Sequence, residues 1–312
     1  MKAIRIHTFG GPEALVYEDV PEPQLKANEV LVKNHAVGVN PIDWKTSSGG
    51  GAAPFIGELP FIPGWEFSGT VVACGADVSD FRPGDDVYGF IRFPNAASCY
   101  AEKVAVPAEQ IAHLPPGCNL TEVAGLALAG LTAWQALFYH GQLQAKQRVL
   151  ILAAAGGVGH LAVQLAKWKE ATVIGSASAA NHAFLSSLGC DDVIDYKQQN
   201  AGDVLNDIDL IIDGVGGQTG IEALSCLKNS GIMITLPSVT KDEVIAAGAA
   251  LGLKVLPLRV EPNASQLSSM AELNAQQQLQ LTIAATYPLE KAADAFNDIA
   301  SGHTQGKVIL TV

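Results

Sequence analysis

A glycine-rich turn separates an apolar segment from a helical one in ILAAAGGVGHLAVQLAKW, residues 151–168. Gly156 and Gly157 would let the backbone turn tightly and approach a ligand closely, and Gly159 would let the helix pack against the preceding strand. The beginning of that helix offers free N–H groups and the positive end of its dipole to a phosphate. The pattern predicts that a pyrophosphate is bound by four consecutive residues: Ala155, Gly156, Gly157 and Val158.

The segments around the turn must position it, and they alternate regularly between strands and amphipathic helices. The predicted strands are residues 148–153, 171–175, 192–196, 208–215, 231–237 and 253–258. Such alternation is typical of a parallel sheet that helices cover on both faces. A glycine turn after the first strand is the dinucleotide-binding arrangement of a Rossmann domain. A tight turn without a ligand would explain the glycines, but not six strand–helix units in series.

The choice of dinucleotide depends on the end of the second strand, where NAD-binding domains carry an acidic residue about 20 residues after the glycines. This sequence has serines there, and its next acidic residue is Asp191. No carboxylate is therefore expected to repel a 2′-phosphate, and we predict NADPH rather than NADH. The side chains that could bond this phosphate are Ser176, Ser178, Asn181, His182 and Tyr196. The same residues would also suit a polar loop without a ligand.

The remainder of the chain predicts a second, β-rich domain. In the first third, short β-branched segments are separated by Gly, Pro and Asp, which is typical of a small barrel or sandwich. The C-terminal segment ends the strand–helix alternation with a strand, one helix at 289–300 and a final strand. We therefore predict an α/β protein in which a parallel-sheet domain, residues 123–277, is inserted into a β domain made of residues 1–122 and 278–312.

The composition of the chain limits which binding partners are expected. The chain has 312 residues and a net charge of -12, and this charge disfavours binding to nucleic acid or to an anionic membrane. The N-terminus lacks the apolar core of a signal peptide, and no apolar stretch reaches the ~20 residues of a membrane span. Five cysteines are scattered without a C-x-x-C pair, which predicts reduced thiols and a cytoplasmic protein.

Six segments, in this order along the chain, resemble the medium-chain dehydrogenase/reductases. They are VGVNPIDWK, PGWEFSGTVVACGADVSDFRPGDDVYG, LALAGLTAWQAL, VLILAAAGGVGHLAVQLAK, IIDGVGG and GKVILTV. Within that family they resemble the zinc-free quinone oxidoreductase and enone reductase branch, the zeta-crystallin-like proteins. The resemblance implies a GroES-like β-barrel domain with an inserted Rossmann domain. It also suggests a homodimer formed by pairing the edges of Rossmann sheets near LKVLPLRV.

The resemblance implies that no metal is bound. Zinc-containing members hold their catalytic zinc with a Cys, a His in Pro-Gly-His-Glu and a further ligand, whereas this chain has Asn40 and Trp65 at the first two positions. Zinc needs three or four ligands within reach, so we expect no catalytic zinc, and we expect Glu66 to form a structural ion pair. Without a Lewis acid the substrate must already be electrophilic, which favours quinones and α,β-unsaturated carbonyl compounds.

The same resemblance implies roles for residues of the cleft between the domains. Asn40 would donate from its amide, Lys45 would place a cation near a developing enolate, and Asp43 could orient Lys45. Residues expected beside the nicotinamide and its ribose are Thr132, Val215, Gly216, Leu236, Pro237 and Ser238. Each of three residues also has a simpler interpretation without a role in the reaction. Asn40 could only form a turn, Lys45 could be solvated, and Thr132 could be a buried residue of a helix.

Two rival functions fit part of the same pattern. A nucleotide-binding relative with little catalysis would keep the glycine turn without turnover. A zinc alcohol dehydrogenase would require metal ligands displaced to other positions.

Overall fold

The structure is a computed structural model that describes residues 1–312. Contacts between residues divide the chain into two compact units. Unit 1 comprises Met1–Leu131 and Glu261–Val312, and unit 2 comprises Thr132–Val260. Unit 2 is therefore inserted into the sequence of unit 1.

The strands, in chain order, are β1 (Lys2–Ile6), β2 (Leu15–Asp19), β3 (Glu29–Val39), β4 (Glu66–Cys74), β5 (Asp86–Phe90), β6 (Lys103–Pro107), β7 (Ile111–His113), β8 (Arg148–Ile151), β9 (Thr172–Ala177), β10 (Asp192–Asp195), β11 (Ile208–Asp213), β12 (Leu227–Thr235), β13 (Lys254–Pro257), β14 (Ile283–Pro288) and β15 (Lys307–Thr311). The α-helices are α1 (Pro41–Ser47), α2 (Leu120–Val123), α3 (Ala127–Trp134), α4 (Gly159–Trp168), α5 (His182–Ser187), α6 (Ala201–Val204), α7 (Gly217–Ala223), α8 (Lys241–Ala250), α9 (Ala264–Ala275) and α10 (Ala292–Ala300). A π-helix, Gln135–His140, continues α3. None of these helices has both the length and the apolar character needed to cross a membrane.

Unit 1 is built around β3, whose alternating and largely apolar residues suit a strand paired along both edges. One edge pairs antiparallel with β4, and the other pairs antiparallel with β6 and then with β15. Because β15 comes from the C-terminal end of the chain, the predicted return of that segment to the first domain is confirmed. The register of this pair sets Val308 opposite Val39, so Lys307 comes next to Asn40.

Unit 2 is a six-stranded parallel sheet in the order β10-β9-β8-β11-β12-β13. This is the strand order of a Rossmann domain, the fold predicted for this segment, and the chain reverses direction across the sheet between β8 and β11. Its strands are near-continuous apolar runs because helices cover both faces, and core residues such as Leu150, Ile211 and Met233 are buried. One edge of β13 is unpaired within the chain, and the homodimer expected at this edge stays a prediction.

The division between the units differs from the predicted one at both ends of the insertion. Residues 123–131 and 261–277 belong to unit 1. The second segment contains α9, a helix that the sequence patterns did not predict, and it packs on β7. The buried hydroxyl of Tyr88 donates to the Leu267 carbonyl oxygen at 2.6 Å, which fixes α9 to the β-rich unit.

Helix α1 depends on a carboxyl group that is entirely buried. The backbone N–H of Asn40 donates to Asp43 Oδ2 at 2.7 Å, and the Tyr100 hydroxyl donates to the same oxygen at 3.1 Å. Asp43 Oδ1 is buried without a hydrogen-bond partner. Burial disfavours the charged form and raises the pKa of Asp43 from 3.8 to about 7, although the Asn40 N–H and the Lys307 charge oppose the rise.

This raised pKa predicts a specific pH dependence of stability. Between pH 4 and pH 7 the folded protein retains the Asp43 proton that the unfolded chain releases, so the free energy of unfolding falls as pH rises. The full slope for one such proton is about 1.4 kcal/mol per pH unit. Asp43→Asn cannot ionise, so the slope of its free energy of unfolding against pH, measured by urea unfolding between pH 5 and 6, should be more positive than the wild-type slope by about this amount. Equal slopes for the two proteins would contradict the burial of Asp43 as an uncharged acid.

Candidate active site

The turn after β8 is held between the two neighbouring strands. The Leu152 N–H donates to the Ile212 carbonyl oxygen of β11 at 2.9 Å, and the Ala154 N–H donates to the Ser176 carbonyl oxygen of β9 at 3.0 Å. Ala153 adopts a φ of 53°, a left-handed conformation that is unusual for a residue with a side chain. The turn therefore lies at the carboxyl end of the sheet, where the strand order reverses and open α/β sheets bind their ligands.

The glycines of this turn are needed for different structural reasons. A side chain at Gly159 would come within 2.3 Å of the Ala153 carbonyl oxygen, so Gly159 is needed for the packing of α4 on the turn. A side chain at Gly156 would meet only that oxygen, at 3.3 Å, within 4 Å. The N–H groups of Gly157 and Val158 have no backbone partner. The protein thus leaves donors and space before α4, an arrangement that fits a dinucleotide pyrophosphate.

The second predicted group lies at the carboxyl ends of β9 and β10. Ser176 is a buried residue within β9, whereas Ser178 follows the end of that strand. Asn181 Nδ2 contacts Ser178 Oγ at 3.4 Å, and His182 Nε2 is buried without a hydrogen-bond partner. Half of the Tyr196 side chain is exposed just after β10.

The acidic residues near β9 modify the argument about the 2′-phosphate. Asp191 accepts hydrogen bonds from Lys167 Nζ and from the Val173 N–H, at the beginning of β9 and away from its carboxyl end. However, Asp195 ends the adjacent strand and pairs with Ala177. This carboxylate was overlooked in the sequence, although Tyr196 beside it was predicted to reach the 2′-phosphate.

The third predicted group follows β11 and β12 and is organised by Asp213, a buried residue that the sequence argument also missed. Asp213 Oδ1 accepts from the N–H groups of Val215 and Gly216, and Oδ2 accepts from the Thr235 hydroxyl. Gly216 has a φ of 74°, and a side chain there would come within 3.2 Å of Pro237. The structure thus brings Val215 and Gly216 close to the segment containing Leu236, Pro237 and Ser238. A single acidic residue ending a buried apolar strand was the available signal.

Within unit 1, the sequence-predicted Asn40 is part of a buried polar cluster. Its Nδ2 donates to Glu66 Oε1 at 2.6 Å, and its Oδ1 accepts from Lys307 Nζ at 2.5 Å. Lys307 Nζ also forms an ion pair with Glu66 Oε1 at 2.9 Å, so the ion pair expected of Glu66 is confirmed. All three side chains are almost completely buried. Lys307 was not predicted as part of this cluster, because it lies 267 residues from Asn40.

The expected pairing of Asp43 with Lys45 is wrong. Asp43 points into the core, where it accepts from the Asn40 N–H and the Tyr100 hydroxyl. Lys45 Nζ instead lies 5.7 Å from the centre of the Trp44 ring and makes no ion pair. The physical reason is that residues two apart on a helix point in different directions. Thr132 is buried in α3, one turn after Leu128, whose N–H donates to Glu66 Oε2 at 2.7 Å.

The two vacated metal-ligand positions are occupied by bonded side chains. Asn40 is held by Glu66 and Lys307, and Trp65 is buried with its ring N–H donating to the Asn95 carbonyl oxygen at 2.8 Å. No group of three or more His, Cys, Asp or Glu side chains could hold a metal ion.

Comparisons with known protein families match both parts of the chain. The family described as "Alcohol dehydrogenase GroES-like domain" matches residues 26–116. The family described as "Zinc-binding dehydrogenase" matches residues 188–310.

Individual relatives match over nearly the full length. The mitochondrial NAD(P)H oxidoreductase RTN4IP1 of Bos taurus is 32% identical, with 100% of this chain and 89% of that protein covered. The structure of the quinone oxidoreductase from Coxiella burnetii has a TM-score of 0.96 and 37% identity, covering 100% of this chain and 99% of the other. The Escherichia coli quinone oxidoreductase complexed with NADPH has a TM-score of 0.88 and 26% identity, covering 100% of both chains. The chain therefore belongs to the medium-chain dehydrogenase/reductase family, in its quinone oxidoreductase branch.

Proposed function

We propose that this protein is an NADPH-dependent reductase that transfers hydride, without a metal, to quinones or α,β-unsaturated carbonyl compounds. The observation that carries the proposal is the turn between β8 and α4, with donors and space at the point where the strand order reverses. When bound there, a reduced nicotinamide supplies the hydride.

The residues of unit 2 would bind and orient the dinucleotide. The backbone from Ala155 to Val158 would bond the pyrophosphate, as the unpaired N–H groups of Gly157 and Val158 suggest. The Asp213 carboxylate holds the loop of Val215 and Gly216, which would pass beside the nicotinamide ribose. The segment from Leu236 to Ser238 would contact the carboxamide, and the buried Thr132 would lie beside the ring.

The preference for NADPH rests on the polar groups after β9. Ser178, Asn181 and His182 would bond the 2′-phosphate, and the unpaired Nε2 of His182 supports this role. Ser176 is buried in its strand, where its carbonyl oxygen holds the turn through the Ala154 N–H, while the exposed Tyr196 would cover the adenosine side. Asp195 on the adjacent strand opposes phosphate binding, so its presence limits the preference over NADH.

The residues of unit 1 would stabilise charge on the substrate. As hydride adds, negative charge develops on the carbonyl oxygen of a quinone or enone, and a nearby cation or N–H donor lowers the barrier. Lys45 has no ion-pair partner and is the cation proposed for this role. Asn40 retains one free N–H, because its amide has two and Glu66 accepts only one.

The activity is tested by following NADPH oxidation at its absorbance band with 1,4-benzoquinone, 9,10-phenanthrenequinone and a simple enone as acceptors. We expect turnover with at least one acceptor and several-fold tighter binding of NADPH than of NADH. Saturable NADPH binding without turnover on the whole panel would support the rival function, a nucleotide-binding protein without useful catalysis. Equal affinities for the two cofactors would retract the role of Ser178, Asn181 and His182.

The position of the pyrophosphate is tested by Gly156→Val, which places a branched side chain where the phosphate must approach. We expect affinity for NADPH to fall at least about tenfold, since charge-assisted hydrogen bonds of about 1.5–3 kcal/mol are lost. The unfolding midpoint should change little, because only one atom lies near the new side chain.

The matched control for this variant is Gly159→Ala. Its side chain would meet backbone atoms at 2.3 and 2.7 Å, so it should lower stability by about 1–3 kcal/mol. Unchanged NADPH affinity in a folded Gly156→Val protein would place the pyrophosphate elsewhere.

A further inference from the structure

The Lys307 ammonium has no N–H left for a substrate. Its three donors are used by the Val39 carbonyl oxygen at 3.0 Å, Asn40 Oδ1 at 2.5 Å and Glu66 Oε1 at 2.9 Å. Only 3% of the residue is exposed. Lys307 can therefore influence a reaction only through the groups that it holds.

The Glu66 carboxylate links three separate parts of unit 1. Oε1 accepts from Lys307 on β15 and from the Asn40 side chain before α1, and Oε2 accepts from the Leu128 N–H in the first turn of α3. The fold leaves room for this group, since a side chain at Gly38 would lie 2.1 Å from Glu66 Oε1. One carboxylate therefore fixes where both α1 and α3 begin.

The ion pair also determines which way the Asn40 amide faces. An ammonium can only donate, so it selects the amide oxygen, and a carboxylate can only accept, so it selects the amide nitrogen. Reversing the amide would set its N–H₂ against the ammonium and its oxygen against the carboxylate. The pair thus orients the one remaining Asn40 N–H as well as the backbone that leads into α1.

We propose that Lys307 and Glu66 form a positioning pair that orients the Asn40 amide and the start of α1, which carries Lys45, for reduction of the substrate. The effect of the pair on substrate reduction rests on the proposed function, whereas its effect on the orientation of Asn40 and α1 does not. Stability alone is a weak reason for such a pair, because well-packed neutral side chains often replace a buried ion pair without loss.

The test compares three variants with wild type. Lys307→Met removes the charge and all three donors at similar volume, Lys307→Arg retains a cation, and the double variant Glu66→Gln/Lys307→Met removes both charges. The control is Lys103→Met, which removes another strand lysine of unit 1 whose partner, Glu22, lies at the surface. For each protein we would measure hydrogen–deuterium exchange of residues 38–47, kcat and KM with 1,4-benzoquinone, and the unfolding midpoint.

For Lys307→Met we expect exchange at residues 38–47 to be about tenfold faster. We expect kcat to fall about tenfold to a hundredfold, the cost of misplaced reacting groups, with KM for NADPH unchanged since its proposed contacts lie in unit 2. Lys307→Arg should retain most of the wild-type kcat and most of the wild-type protection from exchange at residues 38–47. Lys103→Met should resemble wild type in both. The double variant should have an unfolding midpoint close to that of wild type, because no charge is buried alone. Its kcat should stay low and its exchange at residues 38–47 should stay fast.

Two results would overturn the positioning role. The first is a Lys307→Met protein whose exchange at residues 38–47 and kcat both equal those of wild type. The second is a double variant with wild-type kcat, a result that would show the pair to be merely structural. If Lys307→Met does not fold, the double variant and Lys307→Arg decide the matter. A wild-type protein that oxidises no NADPH with any acceptor defeats the proposed function instead, and the exchange data then still decide whether the pair positions α1.

Discussion

The arrangement of polar groups at the start of α1 and of α3 depends on the buried ion pair between Glu66 and Lys307. Taking both charges out of water is costly, and the cost is offset only when every donor and acceptor is satisfied. The Lys307 ammonium donates to three oxygens, and the Glu66 carboxylate accepts from a side-chain amide and a backbone N–H as well. Because its members lie 241 residues apart in the sequence, the pair forms only when β15 has paired with β3.

The same cluster shows how this chain arranges polar groups at positions where zinc-containing members of the family hold a metal. Asn40 stands where the resemblance places a metal ligand, and an ammonium from the C-terminal strand lies 2.5 Å from its side-chain oxygen. The cation at this position is therefore part of the polypeptide. In unit 2 the equivalent constraint is the buried Asp213, which fixes the loop after β11 beside the segment after β12.

Much of unit 2 could be predicted from the sequence because its signals are local. Apolar runs separated by amphipathic segments identify parallel strands, and Gly156, Gly157 and Gly159 identify the turn that reverses into α4. The return of the C-terminal strand followed from the break in that alternation. Each of these features is encoded in residues close together in the chain.

The features that escaped prediction depend on residues that are distant in sequence. Lys307 could not be linked to Asn40, because an isolated lysine near the C-terminus has the same local pattern as a solvated one. Asp195 was overlooked although the adjacent Tyr196 was considered, and α9 was missed because its apolar stripe is weak and packs on a strand far along the chain. Asp43 was predicted to orient Lys45, but its carboxyl group is buried and accepts a hydrogen bond from Tyr100, 57 residues away.

The proposed function requires that the protein deliver hydride from NADPH without a metal, with the Lys45 cation and the Asn40 amide stabilising charge on the substrate. The most direct measurement compares turnover with NADPH and with NADPH deuterated at the transferred C4 position, before and after exhaustive treatment with a chelator. We predict slower turnover with the deuterated cofactor and rates that chelation leaves unchanged. Loss of turnover on chelation that zinc restores, together with stoichiometric zinc in the untreated protein, would contradict it.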